Sequence, residues 1–327
     1  MKNRRSISGG GEMKDEMTSI QYSIIIPVYN SEKTLDELAN RILAVMKTIT
    51  ENFEILFVDD CSADKSWEKL KDLRSHNKKI KLIHLLRNFG QHNALVCGLN
   101  YCSGNYVVMM DDDLQNPPEE IPKLIQKIND GYWVVYGKYS RKMHDTSENF
   151  LSKIFHTFIH SVLEIPEQIY ISNFVICRSE VAKNISRIKS AYPFITALII
   201  KSAPMNKITN VEVEHEPRKF GKSNYNFTKY VKISFNLLIN YSSAPLKIIG
   251  IIGFVTSLIS ICFGFWIIIQ KLIDPTYGIM GWNSLMVAIC FLGGAILMSM
   301  GIIGEYLRRI LAETSYGQQY VIGEMEL

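Results

Sequence analysis

Three consecutive acids followed by a leucine and a glutamine, Asp111-Asp112-Asp113-Leu114-Gln115, form the most chemically loaded segment of the chain. They follow a short apolar run, residues 106–110, that reads as a buried strand. Carboxylates two residues apart at a strand end can both approach one hard cation. Mg²⁺ and Mn²⁺ favour such oxygen ligands, usually one or two carboxylates completed by phosphate oxygens and water. A cation held there could bridge a diphosphate and stabilise negative charge on a leaving group. Taken alone, the same acids also suit a solvated turn or a helix N-terminus.

The elements that would position these acids can be read from hydrophobic patterning. Apolar runs at residues 21–28, 53–58, 81–86, 106–110 and 132–136 suit buried strands. Helical patterns separate them, at residues 33–50, from an Asp64 cap to Arg74, at 91–101, and from the prolines Pro117 and Pro118, whose missing N–H costs least in a first turn. This alternation predicts an α/β domain with a largely parallel, doubly wound sheet. Ligands of such sheets bind beyond the carboxyl ends of the strands. Asn30, Asp59-Asp60, Arg87-Asn88 and the 111–115 segment each sit just past a strand, so they should converge on one crevice. Beyond residue 142 the pattern is less regular, with a helix expected at 149–163 and a strand near 207–213.

The second half differs in kind. The chain has 327 residues, 47% hydrophobic and 21% charged, but most of the charge precedes Tyr241 and the longest apolar runs follow it. Residues 246–269 and 285–303 each approach the roughly 20 apolar residues a bilayer span needs. Basic residues cluster before the first, as Arg218, Lys219, Lys222, Lys229, Lys232 and Lys247, and after the second, as Arg308 and Arg309, while the loop between holds only Lys271. By the positive-inside rule both termini should be cytoplasmic. Residues 1–20 lack an apolar secretory core and read as a flexible polar tail. The predicted plan is therefore a tail (1–20), a cytoplasmic catalytic domain (21–224), a juxtamembrane amphipathic helix (225–244), a two-helix transmembrane hairpin (245–306) and a cytoplasmic tail (307–327). A net charge of +4 gives no reason to expect nucleic acid as a partner. The six cysteines contain no CxxC pair and read as reduced, without a zinc knuckle.

One more cluster could do chemistry: His215-Glu216-Pro217-Arg218-Lys219-Phe220-Gly221-Lys222-Ser223-Asn224-Tyr225. It sets guanidinium, ammonium and hydroxyl donors around a glycine, a combination suited to a phosphate, with Arg218 able to bind it bidentately. A basic stretch attracted to anionic lipid heads is the alternative. His156 and His160, four apart, read as a partly exposed helix face rather than a zinc site.

Together, Ile26-Pro27-Val28-Tyr29-Asn30-Ser31-Glu32, Val58-Asp59-Asp60-Cys61-Ser62-Ala63-Asp64, Arg87-Asn88-Phe89-Gly90-Gln91 and Asp111–Gln115 with Asn116-Pro117-Pro118-Glu119 resemble the family-2 glycosyltransferases of GT-A, Rossmann-like fold. The polyprenyl-phosphate branch fits best: dolichol-phosphate mannose synthases, bactoprenol glucosyltransferases and undecaprenyl-phosphate aminoarabinose-type transferases. The resemblance implies that Pro27, Tyr29, Glu32, Asp60, Asn88, Gln91 and Asp111 bind the nucleotide sugar, with Asp60 at the base. It implies that Asp113 and Gln115 hold Mg²⁺ or Mn²⁺, that Asp112 is a spacer pointing away, and that Arg218, Lys222 and Ser223 bind a lipid phosphate. Asp111, Asp113 and Arg218 would then be the catalytic set. The implied activity is inverting transfer of a sugar from a nucleotide donor to a polyprenyl phosphate in the bacterial inner membrane, by a multi-pass homo-oligomer contributing to cell-envelope glycans. A phosphate acceptor is already an anionic nucleophile and needs little or no general base. One departure bears on this: where several relatives carry an acid-aromatic-Arg pattern, this chain has Asn173-Phe174-Val175, with Lys138 or Arg141 as candidate replacement charges. Transfer to a glycan hydroxyl, or a catalytically silent scaffold, are the competing functions.

Overall fold

The computed structural model describes residues 20–139, 159–190, 193–217, 219, 238–239, 242, 244–273, 282–315 and 319–327. Contacts divide the chain into two units. The first combines the N-terminal part through 153, residues 165–224 and the last ten residues. The second comprises residues 154–164 and 225–317.

In the first unit, β1 (Tyr22–Val28), β2 (Phe53–Asp59), β3 (Ile80–Leu85) and β4 (Tyr106–Met109) alternate with α1 (Leu35–Ile49), α2 (Ser66–His76) and α3 (Gln91–Tyr101). After α4 (Ile121–Asn129) come β5 (Val134–Tyr139), β6 (Val175–Arg178), α5 (Ser179–Arg187), α6 (Ile195–Ser202) and β7 (Ile208–Val213). All join one eight-stranded sheet in the order β7-β5-β6-β4-β1-β2-β3-β8, where β8 is Ile322–Glu326.

β1 and β2 are buried along their whole length, as strands covered on both faces must be. Alternate side chains of β1 serve the two faces. Ile24, Ile26 and Val28 join one core with Leu35, Leu38 and Ile42 of α1 and Leu124 and Ile128 of α4. Ile25 meets α3 on the other face at Gly98, where a Cβ would come within 2.4 Å of Ile25 Cγ2. A larger residue there would push α3 off the sheet.

The sheet is mixed, and the departures from parallel matter. β1–β2, β2–β3, β1–β4 and β5–β7 are parallel. β6 runs antiparallel between β4 and β5, and β8 runs antiparallel along β3. Neither strand is expected from the sequence patterning. The last residues, expected as a tail, instead cover an edge strand that would otherwise present unpaired backbone groups. Trp67 Nε1 donates to Glu324 of β8 at 3.2 Å, and the Trp67 ring lies 4.9 Å from that of His84. The five described cysteines are free thiols.

The second unit contains α7 (Ala244–Ile273) and α8 (Trp282–Ser315). Within α8, Phe291–Leu311 is long and apolar enough to cross a membrane, eight residues beyond the expected end of that span. The first expected span lies in α7, where the described apolar stretch, Ala244–Thr256, is shorter than a bilayer crossing. Among the described residues one membrane-length helix is therefore present where two were expected. Large apolar side chains on both helices face outward, among them Phe254, Leu258, Phe263, Phe291, Leu297 and Met298. His160 is buried, not partly exposed. His156 and most of the expected amphipathic helix at 225–244 lie outside the described residues.

Candidate active site

The loops after β1 and β2 are stitched together side chain to backbone. Asn30 sits at φ 55°, a left-handed conformation that asparagine tolerates. Its backbone N–H donates to Ser62 Oγ at 2.9 Å, and its side-chain Oδ1 accepts from Ala63 N–H at 2.8 Å. Ser31 N–H donates to Ser66 Oγ at 2.8 Å. Glu32 N–H reaches Asp64 at 3.1 Å, and Lys65 N–H returns the bond to Glu32 Oε2 at 3.2 Å. Of the residues expected to line a nucleotide pocket here, Tyr29 is half exposed and Glu32 stands at the strand end, whereas Pro27 is buried within β1, paired with Val58.

Asp60 carries the next connection. Its two carboxylate oxygens accept the Phe89 and Gly90 N–H groups, both at 2.7 Å. Burial pushes its carboxyl pKa up, and the two amide bonds oppose that shift. Its neighbour Asp59, fully buried, takes Ser62 N–H at 3.2 Å and the His84 ring at 2.7 Å. Asp60 thus fixes the chain just after the exposed Asn88. Gly90, at φ 91°, then turns it into α3 in a conformation that L side chains rarely adopt. The first residue of α3 is Gln91.

Gln91 meets the acidic segment. Its Nε2 donates to Asp111 Oδ1 at 2.6 Å, while Asn173 Nδ2 donates to Asp111 Oδ2 at 2.9 Å. Asp112 turns instead to the β1 loop, accepting from Tyr29 N–H at 3.3 Å and from Ser31 Oγ. Expected as a spacer, Asp112 is a tie between strand ends. Desolvation, more than the neighbouring charge of Asp113, pushes its pKa up to about 6, against the hydrogen bond from Ser31. Asp113 Oδ1 accepts Gln115 N–H at 3.1 Å across Leu114, which is fully buried and left-handed at φ 63°. Gln115 C=O accepts Glu216 N–H at 2.9 Å, joining the acidic segment to the stretch after β7.

Aromatic side chains stand beside the acids. Tyr139, at the end of β5, lies 4.2 Å from the His215 ring and 5.8 Å from Tyr170, centroid to centroid. Burial raises its phenol well above the ordinary range, and the charges of Asp111 and Asp113 add to that. Sequence reasoning missed Tyr139, Tyr170 and the contact made by Asn173. All lie on or beside β5 and β6, next to the antiparallel strand β6 that was not anticipated.

Among the described residues, no three His, Cys, Asp or Glu side chains converge into a closed metal cage. Asp113 and Gln115 instead share one partly exposed turn at the carboxyl end of the sheet. One carboxylate and one amide oxygen suit a hard divalent cation that takes its remaining ligands from a diphosphate and water. Arg218, Lys222 and Ser223 lie outside the described residues, as does Arg141. Lys219, beside Arg218, pairs with Glu37 of α1 at 2.5 Å, and this bond is the main cause holding the Glu37 carboxyl below its usual pKa. Arg41 bonds Glu119 bidentately at 2.6 and 3.0 Å and approaches Glu216 and Glu37, each at 3.3 Å. Lys138 is exposed.

Comparison with known proteins gives these features a context. Residues 23–186 match the family model described as glycosyl transferase family 2. A glycosyltransferase of Synechocystis sp. is 34% identical over 94% of this chain and 96% of its own. Glycosyltransferase YkcC of Bacillus subtilis is 33% identical over 93% of each. The undecaprenyl-phosphate 4-deoxy-4-formamido-L-arabinose transferase of Photorhabdus laumondii is 31% identical over 92% of this chain and 94% of its own. Among solved structures, glucosyl-3-phosphoglycerate synthase from Mycobacterium tuberculosis, in complex with Mn²⁺, UDP-glucose and phosphoglyceric acid, superposes with a TM-score of 0.50. Its identity is 15%, covering 67% of this chain and 77% of that one, a likeness of fold.

Proposed function

The chain belongs to glycosyl transferase family 2 and is a glycosyltransferase, and from that premise we propose that it transfers one sugar from a nucleotide-diphosphate donor to a polyprenyl phosphate. The observation that carries the reading is the convergence of Asp60, Gln91, Asp111 and Asp113 beyond the carboxyl ends of β2, β3 and β4, in a chain whose near full-length relatives include undecaprenyl-phosphate sugar transferases.

In this account Tyr29, Glu32, Asn88 and the Asp60-anchored loop receive the nucleotide, and Asp111 faces the donor. Asp113 and Gln115 would hold Mg²⁺ or Mn²⁺, which when bound neutralises charge on the departing diphosphate. Arg218, Lys222 and Ser223 would receive the lipid phosphate and relieve its repulsion from the donor. One oxygen of that phosphate attacks the anomeric carbon as the bond to the nucleotide diphosphate breaks, so the anomeric configuration inverts. No proton needs to be removed, which fits an amide at Asn173 in place of an acid. The membrane-length stretch Phe291–Leu311 and the outward apolar side chains of α7 and α8 support attachment to a membrane; in this reading α7 completes a two-span hairpin in the bacterial inner membrane, with the catalytic unit and both termini cytoplasmic and the helices pairing between copies.

The test is purified full-length protein with undecaprenyl phosphate and a panel of UDP-, GDP- and dTDP-sugars, with and without Mn²⁺. A lipid-linked sugar formed with one donor only when the cation is present supports the proposal. Absence of product with every donor overturns it.

A further inference from the structure

We propose that Asn173 is a positioning residue: with Gln91 it forms a two-amide clamp that fixes the Asp111 carboxylate at the donor crevice. The inference rests on reading that crevice as the sugar-nucleotide site.

The strand register explains how residue 173 reaches residue 111. β6 pairs antiparallel with β4, with Met109 opposite Val175. Two residues past Met109, the last of β4, is Asp111, and two residues back from Val175, the first of β6, is Asn173. The start of β6 therefore lies where β4 ends, at the carboxyl edge of the sheet. A parallel strand here would begin at the opposite edge, about 10 Å or more away for a four-residue strand.

The neighbours of Asn173 hold it in place. Phe174 is fully buried, and its carbonyl accepts Gly137 N–H at 2.8 Å and Ser172 Oγ at 2.9 Å. Gly137 permits that approach, since a Cβ there would come within 3.0 Å of the Phe174 ring and 2.9 Å of Val213. On the other side, Gln91 is set by the Asp60-anchored turn into α3. Among the described residues, the Asp111 carboxylate thus receives an N–H donor on each oxygen, from two elements that approach from different sides. Neutral amides fix a carboxylate without adding charge beside a diphosphate. An acid at position 173 would set carboxylate against carboxylate and remove the donor.

Four variants of the full chain in detergent test this: Asn173→Ala, Asn173→Asp, Asp111→Asn, and the exchange Asp111→Asn with Asn173→Asp. Two readouts are used: thermal unfolding without ligands, and steady-state transfer to undecaprenyl phosphate. Asn173→Asp, although isosteric, should unfold several degrees below the parent, and the exchange should recover most of that loss by re-forming an amide–carboxylate pair in reverse. Recovery beyond what Asp111→Asn gives by itself is the coupling that marks direct contact. Asn173→Ala should lower kcat by about ten- to a hundred-fold while the donor KM changes far less, the signature of a misplaced group rather than lost binding. The exchange should not restore turnover, because the carboxylate then stands on the wrong strand.

Equal unfolding temperatures for the parent and Asn173→Asp overturn the clamp. So does undiminished kcat in Asn173→Ala. Faster turnover by Asn173→Asp overturns it too, by showing that the site lacks a base. If the parent forms no lipid-linked sugar at all, the reading of function fails, and the unfolding comparison still decides the contact.

Discussion

The parallel and antiparallel parts of the sheet do different work. β1 to β4, parallel and separated by helices, bring four polar loops to one edge and bind them together: Asn30 to Ser62 and Ala63, Asp60 to Phe89 and Gly90, Asp112 to Tyr29 and Ser31. The antiparallel strands come from distant sequence and brace what the parallel strands assemble. β6 delivers Asn173 to Asp111, and β8 closes the free edge of β3 beside His84 and Trp67. A site built by adjacent βα units is thus held from outside by segments more than sixty positions from the acids they support, as the Asn173–Asp111 pair shows at a separation of 62.

Breaking the parallel edge should have the largest effect. Asp113→Ala is expected to abolish transfer, by about a thousand-fold or more if it holds the cation that stabilises the leaving group. The protein should remain folded in the membrane fraction, with unchanged circular dichroism. Residual turnover near the parent's would remove Asp113 from the metal assignment.

Asp60→Asn sharpens the comparison within the parallel loops. An amide has one acceptor oxygen for two partly buried N–H donors, so the variant should lose roughly 1 kcal/mol of stability, measured by denaturant unfolding. Its donor KM should rise as the Phe89–Gly90 turn loosens and Gln91 loses its seat. Unchanged stability with a raised KM would instead assign Asp60 to direct nucleotide contact.

On the antiparallel side, Glu324→Ala leaves the buried Trp67 in place and removes the acceptor of its indole N–H, costing about 1 kcal/mol. Hydrogen exchange should speed up in β8 and leave β1 and β2 unaffected. Unchanged exchange throughout would mean that this bond does not hold β8.

The smallest effect concerns Arg41. Its bonds to the half-exposed Glu119 are screened by solvent, so Arg41→Ala should cost about 1 kcal/mol or less at neutral pH. The hydrogen bond from Arg41 is the main cause holding the Glu119 carboxyl below its usual pKa. A lowered folded-state pKa gives stability that is present at neutrality and lost as pH falls through the folded value. Parent and variant should therefore converge in acid, as read from unfolding temperatures between neutral pH and the carboxylate range.

Legibility in the sequence follows the same division. Strands covered on both faces are continuous apolar runs, so β1 to β4 and the polar clusters at their ends, the 111–115 acids included, could be placed from patterning alone, whereas Gln91 and the separate roles of Asp111 and Asp113 came only with the family resemblance. The four residues of β6, Val175–Arg178, and the charged, half-exposed β8 carry no comparable run. Their direction comes from pairing with strands far away in the chain, which local periodicity does not encode. Asn173 was therefore visible only as a missing acid, and its bond to Asp111 was not. Asp112 illustrates a second limit: three adjacent acids look alike in sequence, and only the loop after β1 decides which one turns toward it. Tyr139 ends an ordinary strand, and nothing local marks it as a neighbour of the acids.

The claim that the acceptor is a lipid phosphate is tested most directly by offering the purified enzyme, its preferred nucleotide sugar and Mn²⁺ three acceptors in parallel: undecaprenyl phosphate, undecaprenol and a free oligosaccharide. Mass spectrometry of the products should find one added sugar on undecaprenyl phosphate alone. A glycosylated oligosaccharide or undecaprenol, with the lipid phosphate unmodified, would contradict the account.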